Sequence, residues 1–217
     1  MADGCERYFL RGFVVGDKID TEAPHYAPVL FGCAGLELSR SEKDFFKSTQ
    51  PAGFILFKRN IDTPEQVIGL IEGLREATGR DDLLVFTDQE GGRVQRFNAP
   101  HWPKYLPFQT VAGLYSQDPA AAKTLVAAHV RRMALDLVRL NITGNCIPVL
   151  DIPVDGADPI IGDRALGFDA DTVATLGQVA VDAALQAGIL PVIKHIPGHG
   201  RATVDSSVTS CSGQPSR

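Results

Sequence analysis

The sequence predicts an α/β fold of the (β/α)8 TIM-barrel type that is incomplete, with about five βα units. Three observations support this prediction. Short apolar runs alternate with helical patterns, and each run is apolar enough to be buried on both faces, as strands of parallel sheets are. Polar residues, namely Asp88, Asp151 and Lys194, follow three of these runs. A doubly wound sheet also fits the alternation, but side chains that converge on one mouth favour a barrel.

The individual elements are predicted from local signals. Ser39 and Glu42 have the spacing of a capping box, and Thr63-Pro64 supplies an N-cap followed by proline at the first helical position. Gly188 is a helix stop before the last apolar run. The expected strands are residues 28–32, 53–57, 83–87, 146–150 and 189–193. The expected helices are residues 39–47, 64–79, 118–140 and 171–186.

The length of the chain limits how much of a barrel it can form. A closed barrel has eight strands and typically about 250 residues, so this chain of 217 residues is short by about three βα units. We expect residues 1–26 to be an N-terminal extension, 27–205 a partial barrel domain and 206–217 an irregular tail. Residues 98–119 are rich in proline, aromatic and turn residues, which predicts a long loop over one end of the fold.

Composition excludes several classes of partner and cofactor. The net charge is −5 and the 21 Lys and Arg are scattered, which argues against nucleic acid and anionic membranes as partners. The four cysteines have no C-x-x-C spacing, so neither a zinc site nor a disulfide framework is expected, and no motif calls for a cofactor. No apolar run approaches the roughly 18 residues of a membrane span. These features predict a soluble, cytoplasmic protein.

Two clusters in the first part of the chain are candidates for ligand binding. Asp88 follows a predicted strand and precedes two glycines and two arginines, Arg93 and Arg96. Such a cluster can bring a carboxylate and backbone close to a polar ligand, and its position at the carboxyl end of a strand slightly favours this over a glycine turn with solvated charges. For Asp163-Arg164, an ion pair that holds a loop is favoured over a ligand clamp.

The third cluster, Lys194-His195, lies at the end of an apolar strand. Unpaired cations there would be costly, so we expect Asp88, Asp151 or a hydroxylated ligand to satisfy them. His195 and His199 are four residues apart, but Pro197 and Gly198 disfavour the helix that a metal pair at this spacing needs. No metal site is therefore predicted.

Taken in order, these clusters resemble the family 3 glycoside hydrolases, in particular the bacterial β-N-acetylhexosaminidases of peptidoglycan recycling. The resemblance covers about residues 27–205. It implies a (β/α)8-type barrel that removes terminal β-linked N-acetylglucosamine by a retaining mechanism. By position, it implies that the sugar is bound by Asp88, Arg96, Arg164, Lys194 and His195. The motifs that carry it are Asp88-Gln89-Glu90-Gly91-Gly92-Arg93, Ile161-Gly162-Asp163-Arg164 and Lys194-His195-Ile196-Pro197-Gly198-His199-Gly200 with Asp205-Ser206.

The chain departs from the family pattern at two places. The family has an Asp-Ser-His triplet whose His donates the proton and whose Asp, here Asp205, orients it; this sequence has Ser207 in place of that His. The nucleophilic Asp belongs to a later βα unit, which we expect this chain to lack. A retaining glycosidase needs that second carboxylate, and nothing in the sequence marks another Asp as its substitute. Catalysis is therefore expected to be impaired.

Two alternatives stay open on the sequence. The chain could be a non-catalytic, sugar-binding pseudoenzyme that uses its cations and carboxylates for recognition only. It could also be a poorly folded fragment, because about five strands leave two barrel edges that attract pairing or aggregation.

Overall fold

The structure, a computed structural model, describes residues 26–205 of the chain. The predicted extension and tail therefore lie almost entirely outside the described residues, as does Ser207. The strands are β1 (Ala27–Phe31), β2 (Pro51–Leu56), β3 (Leu84–Thr87), β4 (Gln89–Gly91), β5 (Val94–Gln95), β6 (Gly144–Asn145) and β7 (Leu190–Pro191). The α-helices are α1 (Arg40–Thr49), α2 (Pro64–Thr78), α3 (Phe108–Ala112), α4 (Pro119–Val138) and α5 (Ala170–Gln186).

Five of the strands form one parallel sheet in the order β1-β2-β3-β6-β7. Helices separate these strands in the chain, as expected for parallel crossovers. The other two strands, β4 and β5, form an antiparallel hairpin directly after β3. The predicted α/β class with about five parallel strands is thus confirmed.

Helix boundaries agree closely with the capping signals. Glu42 donates its backbone N–H to the Ser39 hydroxyl over 3.2 Å, and the Glu42 carboxylate accepts the Ser39 N–H over 2.9 Å. Thr63 is the N-cap of α2. Gly79, the C-cap of the same helix, has the left-handed backbone conformation. These contacts satisfy backbone groups that a helix end otherwise leaves unpaired, which is why short-range sequence patterns locate them.

Three predicted segments differ from the structure, one of which is the strand expected at 189–193, shortened to the two residues of β7. Residues 98–119 are not a continuous loop, because they include α3, whose Phe108 and Val111 are buried. The strand predicted at 146–150 is shifted and shortened to β6. Pro148 has no N–H to donate to a ladder, and pairing returns only as an isolated bridge between Val149 and Lys194.

The two largest clusters of buried apolar side chains lie in different parts of the fold. One cluster joins β2, β3, α1 and α2 around Phe54. The other joins α3, α4 and α5 around Phe108 and Leu176. Close packing of these side chains against the strands restricts how far the residues that follow the strands can move relative to one another.

Gly53 marks a place where two strands pack too closely for a side chain. A Cβ atom there would lie 2.3 Å from the backbone oxygen of Leu84, the residue paired with it on β3. We expect Gly53→Ala to destabilise the protein by about 1–3 kcal/mol, because the strands must move apart. In the control Gly69→Ala, on α2, the added methyl meets nothing within 4 Å, and this variant should be about 1 kcal/mol more stable than wild type. Urea denaturation measures both, and an unchanged midpoint for Gly53→Ala would contradict the prediction.

Candidate active site

The five residues expected to bind sugar come together where parallel strands end. Asp88 follows β3 directly, and Arg96 follows the β4–β5 hairpin. Arg164 lies in a 3-10 turn, Gly162–Arg164, and Lys194 and His195 follow β7. Residues up to 106 positions apart in the chain are therefore in direct contact. In parallel α/β folds, active sites and ligand-binding sites lie at the carboxyl ends of the strands.

Asp88 is held by two cations. Its carboxylate accepts a hydrogen bond from Lys194 Nζ at Oδ1 over 2.9 Å and one from Arg96 Nη2 at Oδ2 over 3.0 Å. Burial alone would raise the pKa of Asp88, but the Lys194 ammonium and the hydrogen bonds from Lys194 and Arg96 outweigh it, so the pKa lies below its ordinary value of 3.8. Asp88 is thus an ionised acceptor with 16% of its side chain exposed.

Glu90 is the member of the site that the sequence did not single out. Its side chain is only 1% exposed, and it pairs with Arg164 and Lys194. The sequence signal was available, because Asp88 and Glu90 are two positions apart, a spacing that puts side chains on the same face of an extended segment. What the sequence could not show is that two cations from distant loops converge on it.

Arg164 forms a bidentate ion pair with Glu90. Arg164 Nε donates to Oε2 over 2.7 Å and Nη2 donates to Oε1 over 2.9 Å. Burial would lower the pKa of Arg164, but the hydrogen bonds to Glu90 and its charge reverse the shift and raise the pKa. Ion pairs hold the loop of Asp163-Arg164, as expected, since Asp163 pairs with Arg93 over 3.2 Å and Arg164 pairs with Glu90.

His195 is oriented by Asp151. The Asp151 side chain is fully buried, and its Oδ2 lies 2.5 Å from His195 Nδ1. Arg164 Nη2 lies 3.4 Å from His195 Nε2. A guanidinium only donates and a carboxylate only accepts, so the neutral tautomer that suits both contacts has its proton on Nδ1.

Asp151 also binds backbone. It accepts the backbone N–H of His195 over 3.2 Å and that of His199. Burial would raise the pKa of Asp151, but the His199 N–H and the contacts with His195 outweigh it, so the pKa lies below its ordinary value. Asp151 therefore fixes the turn after Lys194 as well as the imidazole, in agreement with the expectation that Asp88 and Asp151 satisfy these two basic residues.

The segment that leads to Asp205 packs on the loop after Asp151. Val154 donates its N–H to Gly200 O over 3.1 Å, and Asp158 donates to Ala202 O over 2.7 Å. Asp205 is half-buried at the end of this segment. Ser207, at the position expected for the proton donor, lies outside the described residues. The expectation that Asp205 orients a residue at position 207 therefore comes from the sequence.

The arrangement can bind polyols. Three cations and two carboxylates alternate along one line of contacts, Arg96, Asp88, Lys194, Glu90 and Arg164. Lys194 keeps 13% and His195 keeps 37% of the side chain exposed, so both can reach a ligand. Ionised acceptors beside fixed donors form strong hydrogen bonds to hydroxyl and amide groups.

Two other kinds of feature are absent from residues 26–205. The part of the chain that the structure describes has no group of three or more His, Cys, Asp or Glu side chains placed to hold a metal ion. Among those same residues, no helix is both long and apolar enough to cross a bilayer.

Comparison with known proteins gives three concordant matches. The family described as "Glycosyl hydrolase family 3 N terminal domain" matches residues 22–215. A β-hexosaminidase from Xanthomonas oryzae pv. oryzae is 38% identical over 184 residues, which are 85% of this chain and 54% of that protein. One from Xylella fastidiosa is 38% identical over 180 residues, 83% of this chain and 52% of that protein. The chain thus spans about half the length of these relatives.

Solved structures agree. NagZ from Neisseria gonorrhoeae, solved in complex with N-trifluoroacetyl-D-glucosamine, matches with a TM-score of 0.77 and 30% identity over 85% of this chain and 54% of that one. A family 3 β-N-acetylglucosaminidase from Paenibacillus sp. matches with a TM-score of 0.69 and 32% identity over 82% of this chain and 33% of that one. The predicted incomplete TIM-barrel type is thereby confirmed, and the chain belongs to glycosyl hydrolase family 3, as a part of its N-terminal barrel domain.

Proposed function

We propose that this chain recognises terminal β-linked N-acetylglucosamine in the manner of the β-N-acetylhexosaminidases of its family. The observation that supports this most directly is the line of contacts among Arg96, Asp88, Lys194 and Arg164, completed by Glu90. At the edge where the parallel strands end, these contacts bring together four of the five side chains that the family resemblance implies for sugar binding. The fifth, His195, touches Arg164.

In this proposal each side chain has a chemical task. Asp88 accepts hydrogen bonds from sugar hydroxyls, because it stays ionised at neutral pH. Lys194, Arg96 and Arg164 donate to sugar oxygens, and His195 contributes its exposed imidazole. The family reaction is hydrolysis with retention, which takes a proton donor and a nucleophilic carboxylate. Asp205 would orient the donor, but Ser207 has no group that exchanges a proton near neutral pH as an imidazole does. We therefore propose binding with impaired hydrolysis.

The natural ligand we propose is a peptidoglycan-derived fragment that ends in N-acetylglucosamine, in the cytoplasm. The sugar follows from the similarity to β-hexosaminidases and from the ligand seen in the gonococcal structure. The cytoplasmic compartment is supported by two free thiols, Cys33 and Cys146, as expected under reducing conditions.

Calorimetric titration with N-acetylglucosamine tests the proposal. The change Asp88→Asn keeps the size of the side chain and removes its charge, so we expect affinity to fall about 10- to 100-fold, the value of a hydrogen bond to a charged group. The control is Asp81→Asn, an exposed residue that precedes β3 and lies at the opposite end of that strand. This variant should bind like wild type. Absence of binding heat from the wild-type chain would overturn the proposal.

A non-catalytic binding function is the second candidate, and Ser207 is the observation that favours it. The two candidates share the titration result and differ in turnover of a chromogenic β-N-acetylglucosaminide. Measurable turnover that falls in Asp205→Asn would favour a slow enzyme, whereas turnover no faster than the uncatalysed reaction would favour a pseudoenzyme.

A further inference from the structure

We infer that Glu90 is a positioning residue, whose buried carboxylate holds Arg164 and Lys194 in the orientation in which they meet a sugar. The inference deepens the proposed function and rests on it for its sugar-binding part. Glu90 is only 1% exposed, so it does not reach a ligand itself. Any effect on binding must pass through the two cations.

The geometry of Arg164 depends on Glu90. Two parallel N–H···O contacts, of 2.7 and 2.9 Å, use both carboxylate oxygens and fix the plane of the guanidinium. The remaining contacts are weaker: Nη1 donates to Ile160 O over 3.2 Å, and Nη2 lies 3.4 Å from His195 Nε2. Glu90 therefore determines which edge of Arg164 faces His195 and the mouth of the site.

The geometry of Lys194 depends on the same carboxylate. Its ammonium lies 2.5 Å from Glu90 Oε1 and 2.9 Å from Asp88 Oδ1. A lysine has a flexible four-carbon stem and no preferred plane, so two carboxylates are needed to hold its tip. Oε1 of Glu90 contacts both Lys194 and Arg164, which couples the two segments that carry these cations.

Glu90 is itself held by the neighbouring backbone. Gln89 donates its N–H to Asn145 Oδ1 over 2.9 Å, and Asn145 Nδ2 donates to Gln89 O over 2.9 Å. Gln89 also accepts the N–H groups of Arg96 and Phe97, over 3.0 Å each. These contacts attach the β4–β5 hairpin to β6, so the backbone that carries Glu90 is tied to the parallel sheet.

The test compares Glu90→Gln with Glu90→Asp and with a control that removes a carboxylate elsewhere. Asp136 is the control: its side chain is 11% exposed, and it accepts a hydrogen bond from Tyr105 Oη over 2.5 Å and pairs with Arg132 over 3.0 Å. By calorimetry, Glu90→Gln is expected to bind N-acetylglucosamine at least about 10-fold more weakly than wild type. Glu90→Asp, which keeps the charge, should recover part of that loss. Asp136→Asn should bind within about 2-fold of wild type. Equal affinity for Glu90→Gln and wild type would overturn the inference.

A second readout does not depend on sugar. In wild type, the Nε–H proton of Arg164, assigned with Arg164→Lys, should exchange slowly with water in an NMR spectrum because Glu90 accepts it. In Glu90→Gln this slow exchange should be lost, and in Asp136→Asn it should be kept. If wild type binds no sugar, the proposed function fails, and the positioning role is then decided by this signal alone. Its persistence in Glu90→Gln would overturn the role.

Discussion

Replacing Lys194 by methionine is expected to destabilise the protein by about 2–3 kcal/mol at neutral pH, because Asp88 and Glu90 each lose one of their two cationic partners. Lys194 pairs with Asp88 and with Glu90, whose side chains are 16% and 1% exposed. Methionine has a similar length, so the change tests charge more than packing. Arg96 and Arg164 stay in place but cannot reach the position between the two carboxylates.

The deficit should depend on pH with a definite sign. In wild type the pKa of Asp88 lies below its ordinary value of 3.8, since burial, which raises it, is outweighed chiefly by Lys194. The ionised Asp88 therefore contributes stability that is present above pH 3.8 and is lost as the pH falls through the lowered pKa. Without Lys194, only Arg96 opposes the effect of burial on the pKa of Asp88, so Asp88 protonates more easily. The difference between wild type and Lys194→Met should then be largest at neutral pH and should shrink below about pH 4.

Urea denaturation at several pH values measures this difference. Lys123→Met, at an exposed position of α4, is the control and should leave the midpoint within about 0.5 kcal/mol of wild type. A Lys194→Met deficit that is small at neutral pH, or that grows on acidification, would contradict the assigned pairing.

The fold could be predicted from the sequence wherever local chemistry decides it. Ser39 with Glu42, and Thr63 with Pro64, satisfy or replace helix-end donors within a few residues, so their helices begin where the pattern places them. Helix α3 escaped prediction for the opposite reason. It has five residues and no side-chain cap, and it forms because Phe108 and Val111 are buried against other elements. Such tertiary stabilisation leaves little trace in a short window of sequence.

In the candidate site, too, some contacts could be predicted from the sequence and others could not. Asp88 and Lys194 could be predicted as neighbours because each follows an apolar strand, and parallel strands bring their carboxyl ends together. Glu90 could not be assigned a partner, because Arg164 is 74 positions away and reaches it from a 3-10 turn outside the sheet. The hairpin that presents Glu90 is short, and its two glycines are compatible with a simple turn as well as with a ligand-binding cluster.

The second large effect concerns turnover. We expect this chain to hydrolyse a chromogenic β-N-acetylglucosaminide at least about 10²- to 10⁴-fold more slowly than the β-hexosaminidase of Xanthomonas oryzae pv. oryzae, because general acid–base catalysis alone usually contributes that factor. The reason is that Ser207 stands where the family resemblance places the proton-donating His. A hydroxyl does not titrate near neutral pH, whereas an imidazole has an ordinary pKa of about 6.5.

Two measurements separate loss of catalysis from loss of binding. The affinity for N-acetylglucosamine should persist, because the contacts among Asp88, Lys194 and Arg164 do not involve Ser207. The change Ser207→Ala should leave the residual turnover within about 2-fold, since the hydroxyl is expected to supply no acid or base catalysis. A clear fall in turnover for Ser207→Ala would show that the serine acts in the reaction, and turnover equal to that of the relative would contradict the expected impairment. Binding kept while hydrolysis is slow means that the recognition half of the site works without its proton donor, since the contacts that hold a sugar and the group that protonates it are carried by different segments of the chain.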